Sequence, residues 1–264
     1  SFELTDLTQS SEFKLHNLSG LYDEYQFEEI TVDAHWSGIE QWQTHKPVEV
    51  TMKRFNMGFD ILDTYALLSL PKATDTEKLK ININEFSSKV FGGKVYLPEA
   101  HEWDFSAKSN QFTLRAEQWR LADIVSMQQG QDIEAKGTLE GALPLTVTDG
   151  RILIAKGYLR ALAPGGSIHY IANESSRNLA ATSPELGMAL DLLKNFQYEV
   201  LKSEVELDEA GNLSLGLSLA GKNPELFEGR AINFNINLDQ NLDPLLQSLR
   251  LSDKLLEKLE SRIN

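Results

Sequence analysis

Three sets of side chains in this sequence have the types that chemistry uses. His101 and Glu102 are adjacent, with Asp104 two residues on, and an imidazole beside carboxylates is a possible metal donor set. No second histidine lies within ligand reach in sequence, and metal ligands come clustered, so this segment reads as a strand and no metal is expected. His16, His35, His45 and His169 are scattered among polar positions and read as solvated. Asp23/Glu24 and Glu28/Glu29 are the kind of paired carboxylates that flank a glycosidic bond. With 39 acids in the chain, adjacent pairs arise by chance, and consecutive strand residues face opposite ways. Trp36, Trp42, Trp103 and Trp119 have faces that stack on a sugar ring, but large aromatics more often anchor a β core. There is no Gly-x-Ser-x-Gly elbow, no phosphate-binding Gly-rich loop and no His-Glu-x-x-His. No catalytic residue and no cofactor are expected, and the chain does not read as an enzyme.

Charge narrows the partners. The 264 residues hold 25 Lys+Arg against 39 Asp+Glu, a formal net charge of −14, and the sequence pI is near 4.8. Nucleic acid is excluded as a partner, because phosphate binding needs clustered Lys and Arg. An anionic lipid surface is disfavoured by the same argument. Without cysteine there are no disulfides, thiolate nucleophiles or cysteine-held metals. No apolar run reaches the roughly 18 residues of a membrane span. The chain begins Ser-Phe-Glu rather than with Met, which reads as a matured product or a piece of a longer protein with any anchor upstream.

The elements are mostly strands, because the dominant period is two. Ile30, Val32, Ala34 and Trp36 alternate with polar residues, as do Val48, Val50 and Met52, then Ile81 and Ile83, then Phe112, Leu114 and Ala116. Leu213, Leu215, Leu217 and Leu219 are interleaved with small residues, and Ile232, Phe234, Ile236 and Leu238 with Asn and Asp. Each such segment carries one apolar and one wet face. Turns at Phe91-Gly92-Gly93-Lys94, Thr148-Asp149-Gly150-Arg151, Ala163-Pro164-Gly165-Gly166 and 208–212 are short, which favours an antiparallel meander of about a dozen strands. Helices are expected over Leu121–Gln128, from Ser183-Pro184-Glu185 to about Asn195, and in the leucine-spaced tail from Leu242, with Ser252 as an N-cap. The whole chain, 1–264, reads as one β-rich domain, with helices in 241–264.

A family resemblance sharpens this. Ser87-Ser88-Lys89-Val90-Phe91-Gly92-Gly93-Lys94-Val95 resembles the Phe-Gly-Gly-x-Val element of the AsmA-like bacterial proteins. It is followed, in that superfamily's order, by Gly137-Thr138-Leu139-Glu140-Gly141-Ala142-Leu143-Pro144-Leu145, Asp149-Gly150-Arg151 and Pro164-Gly165-Gly166-Ser167-Ile168-His169-Tyr170. Ala189-Leu190-Asp191-Leu192-Leu193-Lys194-Asn195-Phe196-Gln197-Tyr198 and Gly221-Lys222-Asn223-Pro224-Glu225-Leu226 are similar to the YdbH branch. Residues 86 to 240 carry the likeness best.

The resemblance implies phospholipid movement between the inner and outer membranes of a Gram-negative cell. It implies a periplasmic bridge with an N-terminal inner-membrane anchor and a rolled, groove-shaped (taco-like) sheet. It also implies an outer-membrane lipoprotein partner that adds a strand at the C-terminal end. The family also carries a dicarboxylate-transport label, but no Arg cluster suited to two carboxylates is evident.

Elementary energetics fits such a bridge. Exposing two acyl chains of roughly sixteen carbons to water costs about 25 kcal/mol at ~0.8 kcal/mol per methylene. A dozen strands at ~4.8 Å spacing extend about 60 Å. The lane would be lined by Val48, Val50, Ile81, Ile83, Phe112, Leu114, Ile152, Ile154, Leu215, Leu217, Phe234 and Ile236. The same residues would equally fill a closed β-sandwich that binds a protein or glycan. Leu245, Leu246, Leu249, Leu255, Leu256 and Leu259 either cap the end of the sheet or dock a partner.

Overall fold

Each alternating segment forms a strand. The computed structural model describes residues 10–22, 25–37, 43–44, 46–71, 79–127, 133–171 and 183–244. The first part holds β1 (Ser10–Tyr22), β2 (Tyr25–Ser37), β3 (Gln43–Thr44), β4 (Val48–Asn56), β5 (Asp60–Ser69) and β6 (Lys80–Val90). Next come β7 (Gly93–Tyr96), β8 (His101–Asp104), β9 (Ser109–Arg120), helix α1 (Leu121–Val125), β10 (Ile133–Lys136), β11 (Thr138–Thr148), β12 (Arg151–Ala161) and β13 (Gly166–Tyr170). Helix α2 (Pro184–Leu193) leads into β14 (Phe196–Leu207), β15 (Asn212–Lys222), a 3-10 turn (Phe227–Gly229) and β16 (Ile232–Asn241).

All sixteen strands among the described residues belong to one antiparallel sheet, five of them the short β3, β7, β8, β10 and β13. Its main order is β1-β2-β4-β5-β6-β7-β9-β11-β12-β14, and β15 and β16 continue beyond β14. The sheet is not closed into a barrel, and β1 and β16 do not pair. The alternative of two packed sheets is therefore not adopted. Hairpin turns bend where the sequence placed them, with positive φ at Phe91, Gly92, Asp149, Gly150 and Gly211.

Helix α1 stops at Val125, short of the expected Gln128. Five residues give it little intrinsic stability, and Ser126 closes it by donating its N–H to Ala122 and its hydroxyl to Asp123. Helix α2 begins at Pro184 as expected and stops at Leu193, because the chain turns there into β14.

Alternation alone does not reveal how the strands bend. Asn17, Glu29, Asp63, Gln118 and Lys156 lie inside strands with φ between 47° and 58°. Each sits at a register shift in its ladder. Such a bulge adds a residue to one strand, bends it and increases its twist. Two bulge residues meet lysines of the neighbouring strand, Glu29–Lys53 at 2.5 Å and Asp63–Lys89 at 2.7 Å.

A packed cluster occupies one end of the sheet. Leu121 of α1 and Ala135 of β10 join Val90, Val95, Ala116, Trp119, Leu139, Leu201 and Leu219, with Ile168 of β13 and Leu193 of α2 against them. Tyr198 is its polar pin. The ring is 2% exposed, and its hydroxyl donates to the Lys136 carbonyl at 2.8 Å. Burial pushes this phenol up to about 12 from its ordinary 10. The protonated form is favoured in the folded state, so its stabilisation is complete below pH 10 and is lost as pH rises towards 12. The loss is roughly 2–3 kcal/mol. Urea midpoints measured at pH 9 and pH 11.5 should fall more steeply in the wild type than in Tyr198→Phe; parallel curves would refute the assignment.

Candidate functional site: one apolar face across the sheet

Directly paired residues project from the same side of a sheet, so register can be followed from strand to strand. Val32 of β2 pairs with Val50, Val50 with Ala66, and Ala66 with Phe86. One step along, Val48 pairs with Leu68 and Leu68 with Ile83, while Ile81 faces Trp103. Ser88 pairs with Val95 and Val95 with Ala116, which carries the same side onto β9. From there Ala116 leads through Gly141, Leu159, Ser203 and Leu217 to Ile236. A second row runs Phe112, Leu145, Ile154, Leu207, Leu213.

All twelve residues picked as lane-lining therefore share one side of the sheet. Val48 is buried, Ile152 is 50% exposed, and the other ten are half-buried. Leu114, Phe234 and Ile236 lean on the packed cluster, and Phe234 meets Phe196 edge to face at 5.1 Å. Farther along, Phe112 has His101 and Trp103 as its ring neighbours among the described residues, at 5.4 and 6.1 Å. The face is thus covered at one end and partly open at the other.

Polar atoms on this side are mostly turned back to the backbone. Ser88 donates to the Leu62 carbonyl at 3.0 Å, Ser203 to Glu204 at 3.1 Å, and Asn110 brackets Asp104 with two bonds. The His101 Nε2 atom is buried without a partner. One set of ion pairs stands on this face, at the far end of β4: Arg54, in step with Val50, meets Glu28 at 3.1 Å and Asp60 at 2.8 Å. Other charges pair on the opposite side, as in Lys53–Glu29, Lys80–Glu102 and Arg160–Glu140. Most of these side chains are over a third exposed, so each pair adds little stability but keeps that side wet.

The remaining candidates fall out plainly. Glu28 and Glu29 turn apart as alternation expects, towards the consecutive β4 residues Arg54 and Lys53. Each meets its own cation, Arg54 at 3.1 Å and Lys53 at 2.5 Å, which leaves them poorly placed as an acid and a nucleophile. Trp119 is buried and donates to the Lys94 carbonyl, and Trp103 is half-buried. Asp23, Glu24, Trp42, His45 and the leucines at 245, 246, 249, 255, 256 and 259 lie outside the described residues. Leu145, Leu159 and Val205 share the face without having been expected there, and Leu213 and Leu238, expected as apolar strand positions, join the lane as well. Their signal was the same alternation.

The described strands thus form one open sheet with a largely apolar side and a charged side. The chain belongs to the YdbH-like family: the family model described as intermembrane phospholipid transport protein YdbH matches residues 4–264. This is a family of lipid transport rather than a known enzyme family. No curated protein and no solved structure matches the chain significantly. Among the described residues, no helix is long and apolar enough to cross a membrane.

Proposed function

We propose that this chain is a non-enzymatic periplasmic segment of a bridge-like protein, and that its apolar face forms a groove carrying phospholipid acyl chains between the inner and outer membranes. One observation supports this above the others: paired apolar residues follow one another on the same side of the sheet from β2 to β16, with the Glu28–Arg54–Asp60 ion pairs set at the end of β4, four residues from Val50. An acyl chain needs such continuity, because each methylene left in water costs ~0.8 kcal/mol. Head groups remain outside, and no catalytic group is required. In this reading an anchor upstream holds the protein at the inner membrane, and an outer-membrane lipoprotein adds a strand at the C-terminal end.

The test is a photo-crosslinking amino acid placed singly at Phe112, Leu217 and Phe234 in cells. Phospholipid adducts are expected at Phe112 and Leu217, and fewer at Phe234, where the packed cluster begins. Lys202, on the charged side, should give none. Absence of lipid at both Phe112 and Leu217 refutes the proposal and favours a scaffold whose face is filled by protein.

A further inference from the structure

We propose that Glu12, Asp33 and His35 form a site for a divalent transition-metal ion of the zinc type on the charged side of the β1–β2 hairpin. Register assembles it. Glu12 pairs directly with His35, and Lys14 directly with Asp33, so all four side chains project from one patch. The His35 Nε2 atom lies 3.1 Å from Asp33 Oδ1 and 3.5 Å from Glu12 Oε1. One donor atom from each of the three residues lies within 4.8 Å of the others. Metal bonds of about 2.0–2.2 Å require ligand atoms roughly 3–3.6 Å apart, a small closure for side chains about half exposed.

A second observation concerns Asp33. Asp33 Oδ1 has no accessible surface and receives no hydrogen bond, although the side chain as a whole is 45% exposed. An acceptor cut off from water, with only the His35 Nε2 atom 3.1 Å away, is costly unless that neighbour or a cation satisfies it. The atom beside it is an imidazole nitrogen, and a neutral imidazole that coordinates a metal offers a lone pair rather than a proton. A cation between them would satisfy Asp33, Glu12 and His35 together.

The donor set selects the ion. One imidazole nitrogen with two carboxylates suits Zn2+ and its neighbours, whereas Mg2+ and Ca2+ demand six or more oxygens. Water would complete the coordination. Lys14 is a built-in competitor, since its ammonium already contacts Glu12. Occupancy would clamp β1 to β2, which is the only strand that holds this edge of the sheet among the described residues.

Zinc chloride titrated calorimetrically into the untagged chain tests this, together with thermal midpoints read against zinc and against magnesium. One equivalent of zinc should bind and raise the midpoint, while magnesium does neither. His35→Gln should keep the metal-free midpoint and weaken zinc binding by more than about tenfold. Lys14→Met should tighten it. His16→Gln, an exposed histidine on the same strand, should change nothing. The proposal is overturned if the wild type shows no zinc binding, if binding survives His35→Gln, or if it is lost in His16→Gln.

Discussion

Leu217→Asp is expected to stop phospholipid passage, whereas Ser218→Asp, one residue along the same strand, is expected to leave it intact. Leu217 is half-buried in the middle of the apolar face, paired with Ser203 on one side and Ile236 on the other. Ser218 is exposed on the opposite side, paired with Lys202 and Asn235. A carboxylate at 217 stands where an acyl chain would slide, and bringing hydrocarbon over an ionised group removes its water. That penalty is several kcal/mol, or roughly a hundredfold or more in rate. Transfer of labelled phospholipid between the two membranes, with crosslinking yield at Phe112 as a second readout, measures the effect. Leu217→Ala separates passage from packing, since it loses side-chain contacts but keeps the lane apolar. Its transport should stay near wild type while its urea midpoint falls. Wild-type transport by a folded Leu217→Asp protein would remove the lane as the route.

How far this face was legible in the sequence depends on the strand. Leu213 to Leu219 and Ile232 to Leu238 keep strict alternation through ten consecutive pairs of the β15–β16 ladder, so their sidedness could be read directly. Ile83 and Phe86 also share that face, but three residues apart, because the β5–β6 ladder shifts register between them. The same holds at Ile154 and Gly157, where Lys156 is left-handed. Glu29, Asp63, Gln118 and Lys156 are ordinary side chains in a conformation usually left to glycine, so no residue type announced these bends. Periodicity therefore identified strands and apolar residues, and pairing alone brought them to one side. The zinc-type cluster was illegible for a related reason: Glu12 and His35 are far apart in sequence and meet only through the β1–β2 register. Tyr198 was quoted only as part of a motif, and its hydrogen bond to Lys136 spans 62 residues.

Gly137→Ala should cost about 3–5 kcal/mol, a large share of the 5–15 kcal/mol by which a domain is usually stable. Gly137 joins β10 to β11 with φ +132, where an L side chain is strained by roughly 1–3 kcal/mol. A methyl group there would lie 2.0 Å from the Tyr198 hydroxyl oxygen. The hydroxyl cannot simply retreat, because it pins the Lys136 carbonyl at the same joint. Gly150→Ala isolates the strain, since that glycine has φ +76 with nothing within 4 Å of the added carbon; it should cost only about 1–2 kcal/mol. Tyr198→Phe isolates the clash, because it removes the atom the methyl would strike. In that background the added cost of Gly137→Ala should shrink to about the Gly150 value, giving a coupling of roughly 1–3 kcal/mol. Strictly additive urea midpoints would mean that Tyr198 and Gly137 act separately. The joint closing the packed end of the apolar face would then owe its geometry to the backbone alone.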